Sequence, residues 1–125
     1  MYGIKKPSLY DHVETYTYKQ WFQDIYDYIV SRVNVKTTTI SYTVEANIYY
    51  VRADATTGAI TITLPTTSLA AGRQLLIKKI DSGVNAVTVA ASGSDTIEGA
   101  ATISLAVQWS KQGLISNGNG GWEKV

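Results

Sequence analysis

The amino-acid sequence predicts a mainly β protein, in which an N-terminal arm and helix precede an antiparallel β-sandwich or jelly-roll-like module. Three observations lead to this fold class. About eight short segments after residue 37 alternate apolar and polar residues, and turn-forming residues separate them at regular intervals. Eleven of the 13 aromatic residues lie in the first 50 positions. We therefore predict two domains, residues 1–36 and residues 37–125.

The first domain is predicted to be an extended arm followed by an amphipathic helix. Gly3 and Pro7 favour the arm, and between Tyr18 and Val33 apolar side chains recur three and four positions apart, as on one helix face. This face is dense in large aromatic side chains, which carry much of the binding energy at protein interfaces. The helix either packs on its own β module or docks on another chain. For docking, the predicted anchoring or oligomer-interface residues are Tyr16, Tyr18, Trp21, Phe22, Ile25, Tyr28 and Ile29.

The strand pattern of the second domain is clearest in its middle. Ile60, Ile62 and Leu64 lie two residues apart, and Pro65 ends the strand because proline has no N–H to donate. Residues 34–39 are either a linker or the lead into a first strand. Asn117–Gly121 is the strongest hairpin signal, since Asn and Gly tolerate the positive φ of such turns. Further strands are predicted at Ile40–Val44, Ile48–Ala53, Gln74–Ile80, Val87–Val89, Thr102–Val107, Gly113–Ser116 and Trp122–Val125.

Composition disfavours several classes of function. The 11 basic and 10 acidic residues nearly cancel, whereas a protein that grips a phosphate backbone usually carries a basic excess, so no nucleic-acid partner is expected. The absence of cysteine excludes disulfides, thiolate metal sites and cysteine nucleophiles. No apolar run approaches the roughly 20 residues that cross a bilayer, and the N-terminus lacks the apolar core of a signal peptide. We expect no membrane association.

The residues that could take part in catalysis or metal binding lack suitable partners in the sequence. His12 is the only histidine and lies on the predicted arm without metal-ligating partners. Asp95 and Glu98 could form a carboxylate pair, but a turn aspartate and a solvated glutamate explain them better. In Lys78-Lys79, adjacent strand residues face opposite ways, so one lysine is expected at the surface and the other along apolar neighbours. We expect no enzyme activity, no catalytic residue, no metal site and no cofactor.

Five segments of the second domain are informative when they are taken together: Val51–Pro65, Ala71–Lys79, Asp95–Gly99, Ser116–Gly118 and Gly121-Trp122. In this order they resemble a β module of bacteriophage virion proteins, which occurs in head fibres, capsid decoration proteins and tail-fibre tips. The resemblance extends over residues 43–125 and not over the N-terminal segment. It implies a structural, usually homotrimeric module with no catalytic residues.

With the two-part composition, this resemblance predicts a phage virion structural protein. We expect a trimeric head fibre or capsid decoration protein, assembled in the host cytoplasm and attached by its N-terminal segment to the major capsid protein or another virion protein at the virion exterior. One alternative is a tail-fibre or receptor-binding tip, in which Tyr49, Tyr50 or Trp109 stacks on a host-surface glycan. Another is a small baseplate or tail adaptor.

Overall fold

The computed structural model of the chain describes residues 18–26 and 34–125. Contacts within the chain divide it into two compact units, Met1–Arg32 and Val33–Val125. In the first unit, residues 18–26 form helix α1, which confirms that part of the helix predicted over Tyr18–Val33. The predicted arm and residues 27–33 of the predicted helix lie outside the described residues.

The second unit consists of two β-sheets and a short 3-10 helix at Thr67–Leu69. The mainly β class with two sheets is therefore confirmed. Strand β1 spans the domain boundary that we placed between residues 36 and 37. The strands are β1 Asn34–Thr38, β2 Tyr42–Thr43, β3 Ile48–Ala53, β4 Ile60–Thr63, β5 Gln74–Lys79, β6 Val87–Ala90, β7 Thr96–Ile97, β8 Thr102–Leu105, β9 Lys111–Ser116 and β10 Gly121–Lys124.

The first six strands alternate between the two sheets. Strands β1, β3 and β5 are parallel neighbours in a six-stranded sheet, sheet A, while β2, β4 and β6 are parallel neighbours in a four-stranded sheet, sheet B. The chain therefore coils through three turns, each of which adds one strand to each sheet. Five of the eight pairs of described strands are parallel, so the predicted antiparallel pairing is wrong for most of the module.

The physical reason for this error is that successive strands lie in different sheets. A hairpin pairs strands that follow each other in the chain and makes them antiparallel, whereas a coil pairs each strand with the next but one and makes them parallel. The alternation of apolar and polar residues specifies which face of a strand is buried, and it is the same for both arrangements.

The last four strands complete the sheets. Strand β8 pairs antiparallel with β6, and β9 pairs antiparallel with both β5 and β10. The hairpin predicted at Asn117–Gly121 is confirmed: it joins β9 to β10, and Gly118 and Gly120 have φ of 76° and 87°. Strand β7, which is not among the strands predicted from the sequence, pairs parallel with β10 at the far edge of sheet A.

The two sheets enclose one hydrophobic core. Sheet A contributes Val51, Ile77 and Leu114, all fully buried, while Ile62 and Val89 come from sheet B. Trp122 of β10 is also fully buried, and its indole N–H donates a hydrogen bond of 3.3 Å to the carbonyl of Pro65. This side chain closes the core beneath the loop that follows β4, so the module is sandwich-like although its sheets are mixed.

Candidate functional site

Helix α1 presents an aromatic face, which we define as Tyr18, Trp21, Phe22, Ile25 and Tyr26. The first four occupy positions i, i+3, i+4 and i+7, and Tyr26 follows Phe22 by four residues, so all five lie along one side of the helix. The ring centroid of Tyr18 lies 6.0 Å from that of Trp21 and 6.0 Å from that of Phe22. The three rings form one contiguous cluster at the distances that aromatic pairs favour.

The aromatic face is open to solvent. Trp21 is 47% exposed, Phe22 59% and Tyr26 60%. On the polar side of the helix, the Gln20 side chain donates a hydrogen bond of 2.9 Å to the Asp24 carboxylate one turn later. Side chains of this size stabilise a protein when they are buried. Contiguous exposed apolar side chains are typical of interaction surfaces, so this face is the candidate site on α1.

Of the predicted anchoring residues, Tyr18, Trp21, Phe22 and Ile25 lie together on this face. Tyr16, Tyr28 and Ile29 lie outside the described residues. Tyr26 extends the face and is a residue that the sequence prediction missed. Its spacing of four residues from Phe22 was the available signal.

The β module contains one buried ion pair. Lys79 of β5 points into the core and is completely buried, and its Nζ lies 2.6 Å from Oδ2 of Asp81, which is also buried. The Asp81 carboxylate also accepts hydrogen bonds from the backbone N–H groups of Ala55, at 2.8 Å, and Gly83, at 2.9 Å. These bonds tie the turn after β5 to the turn after β3, which are neighbouring turns of the coil.

The pKa of Asp81 follows from this environment. Desolvation of the buried carboxyl raises the pKa, but the hydrogen bonds from Lys79, Ala55 and Gly83, together with the charge of Lys79, outweigh it. The net result lowers the pKa of Asp81 from 3.8 to about 2. The carboxylate therefore stays ionised at neutral pH and balances the buried ammonium, which is a structural role. The expectation that one of Lys78 and Lys79 points inward is met by Lys79.

The two carboxylates that we considered as a catalytic pair accept hydrogen bonds from backbone N–H groups. Asp95 accepts a 2.9 Å hydrogen bond from the N–H of Thr67, and Glu98 accepts one of 2.9 Å from the N–H of Lys124. A further turn carboxylate, Asp54, accepts hydrogen bonds from the N–H and the hydroxyl of Thr56 within its own turn. Within residues 18–26 and 34–125, no group of three or more His, Asp or Glu side chains is placed to hold a metal ion. His12 lies outside these ranges.

The aromatic residues that we considered for glycan stacking lie on the β module. Trp109, between β8 and β9, is 55% exposed, and the Nζ of Lys78 lies 5.4 Å from its ring centroid. Tyr49 is exposed, whereas Tyr50 is half-buried. The three side chains therefore differ in their access to a ligand, and Trp109 is the most open.

No family model matches the chain, and no curated protein has a significantly similar sequence. Among the helical residues that the structure describes, none belong to a helix long and apolar enough to cross a bilayer.

Proposed function

We propose that the protein is a phage virion structural protein, a head fibre or capsid decoration protein that attaches to the particle through the aromatic face of helix α1. The observation that carries this proposal is the ring cluster of Tyr18, Trp21 and Phe22, in which Trp21 and Phe22 are exposed, in a unit separate from the β module. Full burial of one large apolar side chain contributes about 1.5–3 kcal/mol. The cluster is therefore large enough to hold the chain on a matching apolar groove of a capsid protein.

In this proposal the β module is the part that projects from the particle, and this requires a stable fold. Its core is continuous between two sheets, its buried Lys79 is paired with Asp81, and its loop carboxylates Asp95 and Glu98 bind backbone N–H groups. These features stabilise the fold. The resemblance to phage virion β modules supports the same assignment.

The proposal includes a homotrimer. Three helices held in one assembly would bind a particle jointly, because the first contact raises the effective concentration of the other two. Light scattering on the purified full chain tests this part. A mass near 41 kDa, three times the chain mass of 13.6 kDa, is expected, and a mass of one chain would remove the trimer from the proposal.

Incorporation into particles tests the attachment. The full chain with Trp21→Ala and Phe22→Ala is expected to assemble into particles about tenfold less than the natural chain, because two anchoring side chains are lost from every copy. The matched control is Lys19→Ala with Gln23→Ala, which alters two residues of the same helix outside the aromatic face. Equal incorporation of the two variants would refute the role of the aromatic face.

The alternative of a tail-fibre or receptor-binding tip is supported by a different observation, the exposed ring of Trp109 on the β module. In that arrangement the outward end of the protein binds the host, and α1 is the attachment to the fibre or baseplate. Immunogold labelling of intact virions distinguishes the positions, since a capsid protein labels the head and a tip labels the distal tail.

A further inference from the structure

The outer face of sheet A carries a row of basic side chains, which we call the basic row: Arg52, Lys78 and Lys111. Arg52 of β3 lies directly opposite Lys78 of β5, and Lys78 lies directly opposite Lys111 of β9. Their chain neighbours Ala53 and Lys79 are fully buried, so the alternation of the strands turns the row outward. Neighbouring strands are about 4.8 Å apart, so the row spans about 10 Å.

The basic row has no acidic counterpart. Arg52 donates a hydrogen bond of 3.0 Å to the hydroxyl of Thr37, and Lys78 lies over the ring of Trp109. No described carboxylate forms an ion pair with Arg52, Lys78 or Lys111, and the ion pair of the neighbouring Lys79 lies in the core. Like charges directly opposite each other destabilise a sheet. The row therefore lowers the stability of the module unless an anion binds to it.

Trp109 lies beside the row in an unusual backbone conformation. Its φ is 68°, a region that bulky residues rarely adopt and that costs free energy. Its backbone is held there by a 2.8 Å hydrogen bond from its N–H to the carbonyl of Lys79. In this conformation the Trp109 ring is 55% exposed and lies next to the cations. A glycine would adopt the same φ without strain, but it would provide no ring.

An apolar row runs parallel to the basic row on the same face. This row consists of the residues that lie two positions from each cation on the same strand, which are Tyr50, Leu76 and Gly113. The two rows are therefore about 6.6 Å apart in the strand direction. Val125 lies over Gly113, where a Cβ would be 3.0 Å from its Cγ2. The outer face therefore combines a line of positive charges with a line of apolar contacts.

We propose that this face binds an anionic polysaccharide, whose carboxylate, sulfate or phosphate groups pair with the basic row. A sugar chain carries charged groups on its edges and C–H groups on its ring faces, which match the two parallel rows and the exposed ring of Trp109. Arg and Lys form charge-assisted hydrogen bonds with these anions, and such bonds are stronger than neutral ones. This proposal goes beyond attachment to a particle and does not depend on it.

Two other anionic polymers fit less well. A nucleic acid binds through many phosphate contacts, whereas the row offers three cations on a chain with a net charge of +1. An acidic protein segment would pair with the cations but offers no repeating ring face for Trp109 and the apolar row. Both polymers are included in the test.

The test measures binding of the full chain at low salt to polygalacturonate, dextran sulfate, neutral dextran, an oligodeoxythymidylate and polyglutamate. Binding to at least one of the two anionic polysaccharides is expected, and the double variant Lys78→Gln with Lys111→Gln should bind about tenfold more weakly. The matched control is Lys19→Gln with Lys124→Gln, which removes the same charge from two exposed lysines elsewhere and should change the affinity less than about twofold. Trp109→Phe should abolish the ligand-dependent change in tryptophan fluorescence.

Thermal melting separates loss of binding from loss of folding. The Lys78→Gln, Lys111→Gln variant should melt at the same or a higher temperature than the natural chain, because it relieves repulsion between adjacent strands. The proposal would be overturned if the natural chain bound neither anionic polysaccharide. It would also be overturned if the control variant lost as much affinity as the Lys78→Gln, Lys111→Gln variant. Tighter binding of the oligonucleotide or polyglutamate than of either polysaccharide would overturn it as well and assign the row to that polymer.

Discussion

Replacement of Asp81 by Asn tests how strongly the module depends on its buried ion pair. Lys79 is completely buried, and among the described residues its Nζ bonds only to Asp81, at 2.6 Å. Asparagine keeps the size of the side chain but removes the charge that balances the ammonium. Loss of one partner from a buried pair typically costs 3–5 kcal/mol. The lowering of the Asp81 pKa from 3.8 to about 2 means that ionisation of this carboxyl stabilises the folded state by about 2 kcal/mol. We expect Asp81→Asn to lower the free energy of unfolding by about 3 kcal/mol.

A double-mutant cycle separates the pair from its surroundings. Lys79→Met should cost less, about 2 kcal/mol, because Asp81 keeps its hydrogen bonds from the backbone of Ala55 and Gly83. With both substitutions no buried charge remains, so the loss should be no larger than that of Lys79→Met alone. The two single losses add up to about 5 kcal/mol, so the expected coupling energy is at least about 3 kcal/mol.

Urea denaturation at pH 7, followed by circular dichroism and tryptophan fluorescence, measures these values. Glu123→Gln is the control for loss of one carboxylate, since Glu123 is exposed, and it should change stability by less than about 0.5 kcal/mol. A cost below about 1 kcal/mol for Asp81→Asn, or a coupling energy near zero, would contradict the assignment of the pair as a major stabilising contact.

Four further outcomes are expected. Because the folded pKa of Asp81 is depressed, the stability due to its ionisation is complete above about pH 4 and is lost as the pH falls towards 2. Acid titration of unfolding should show this loss in the natural chain and not in Asp81→Asn. Gly83→Ala would place a Cβ 2.9 Å from Oδ2 of Asp81, and we expect urea denaturation to show a loss of about 1–2 kcal/mol. Gly118→Ala combines a φ of 76° with a Cβ 2.7 Å from that of Ala71, so a similar or larger loss is expected by the same assay. Trp122→Ala should cost about 3–5 kcal/mol and Trp122→Phe clearly less, and melting curves that rank them in reverse would contradict the role of this side chain in the core.

The positions of the strands could be predicted because their signals are local. Alternation at Ile60, Ile62 and Leu64, the stop at Pro65 and the turn at Asn117–Gly121 all act within a few residues. Strand partners could not be predicted in this way. Tyr42 pairs with Ile62 and Ile62 with Val89, contacts 20 and more residues apart that depend on the lengths of the loops between them.

The same distinction separates the predictable part of the candidate sites from the rest. The aromatic face of α1 follows from helical spacing alone, so four of its five residues were predicted from the sequence. The basic row was not predicted, because Arg52, Lys78 and Lys111 lie on three strands and come together only when the register of sheet A is known. The ion pair of Lys79 with Asp81 did have a local signal in the sequence. In an extended chain, side chains two residues apart lie on the same face, so these two groups are neighbours.

Electron cryomicroscopy of intact virions tests the central proposal most directly, because it locates both units of the chain on the particle. We predict that residues 18–26 contact a neighbouring virion protein through Trp21 and Phe22, while the β module projects from the particle. The account would be contradicted by a map in which the β module forms the contact with the particle and these two side chains are packed within their own chain.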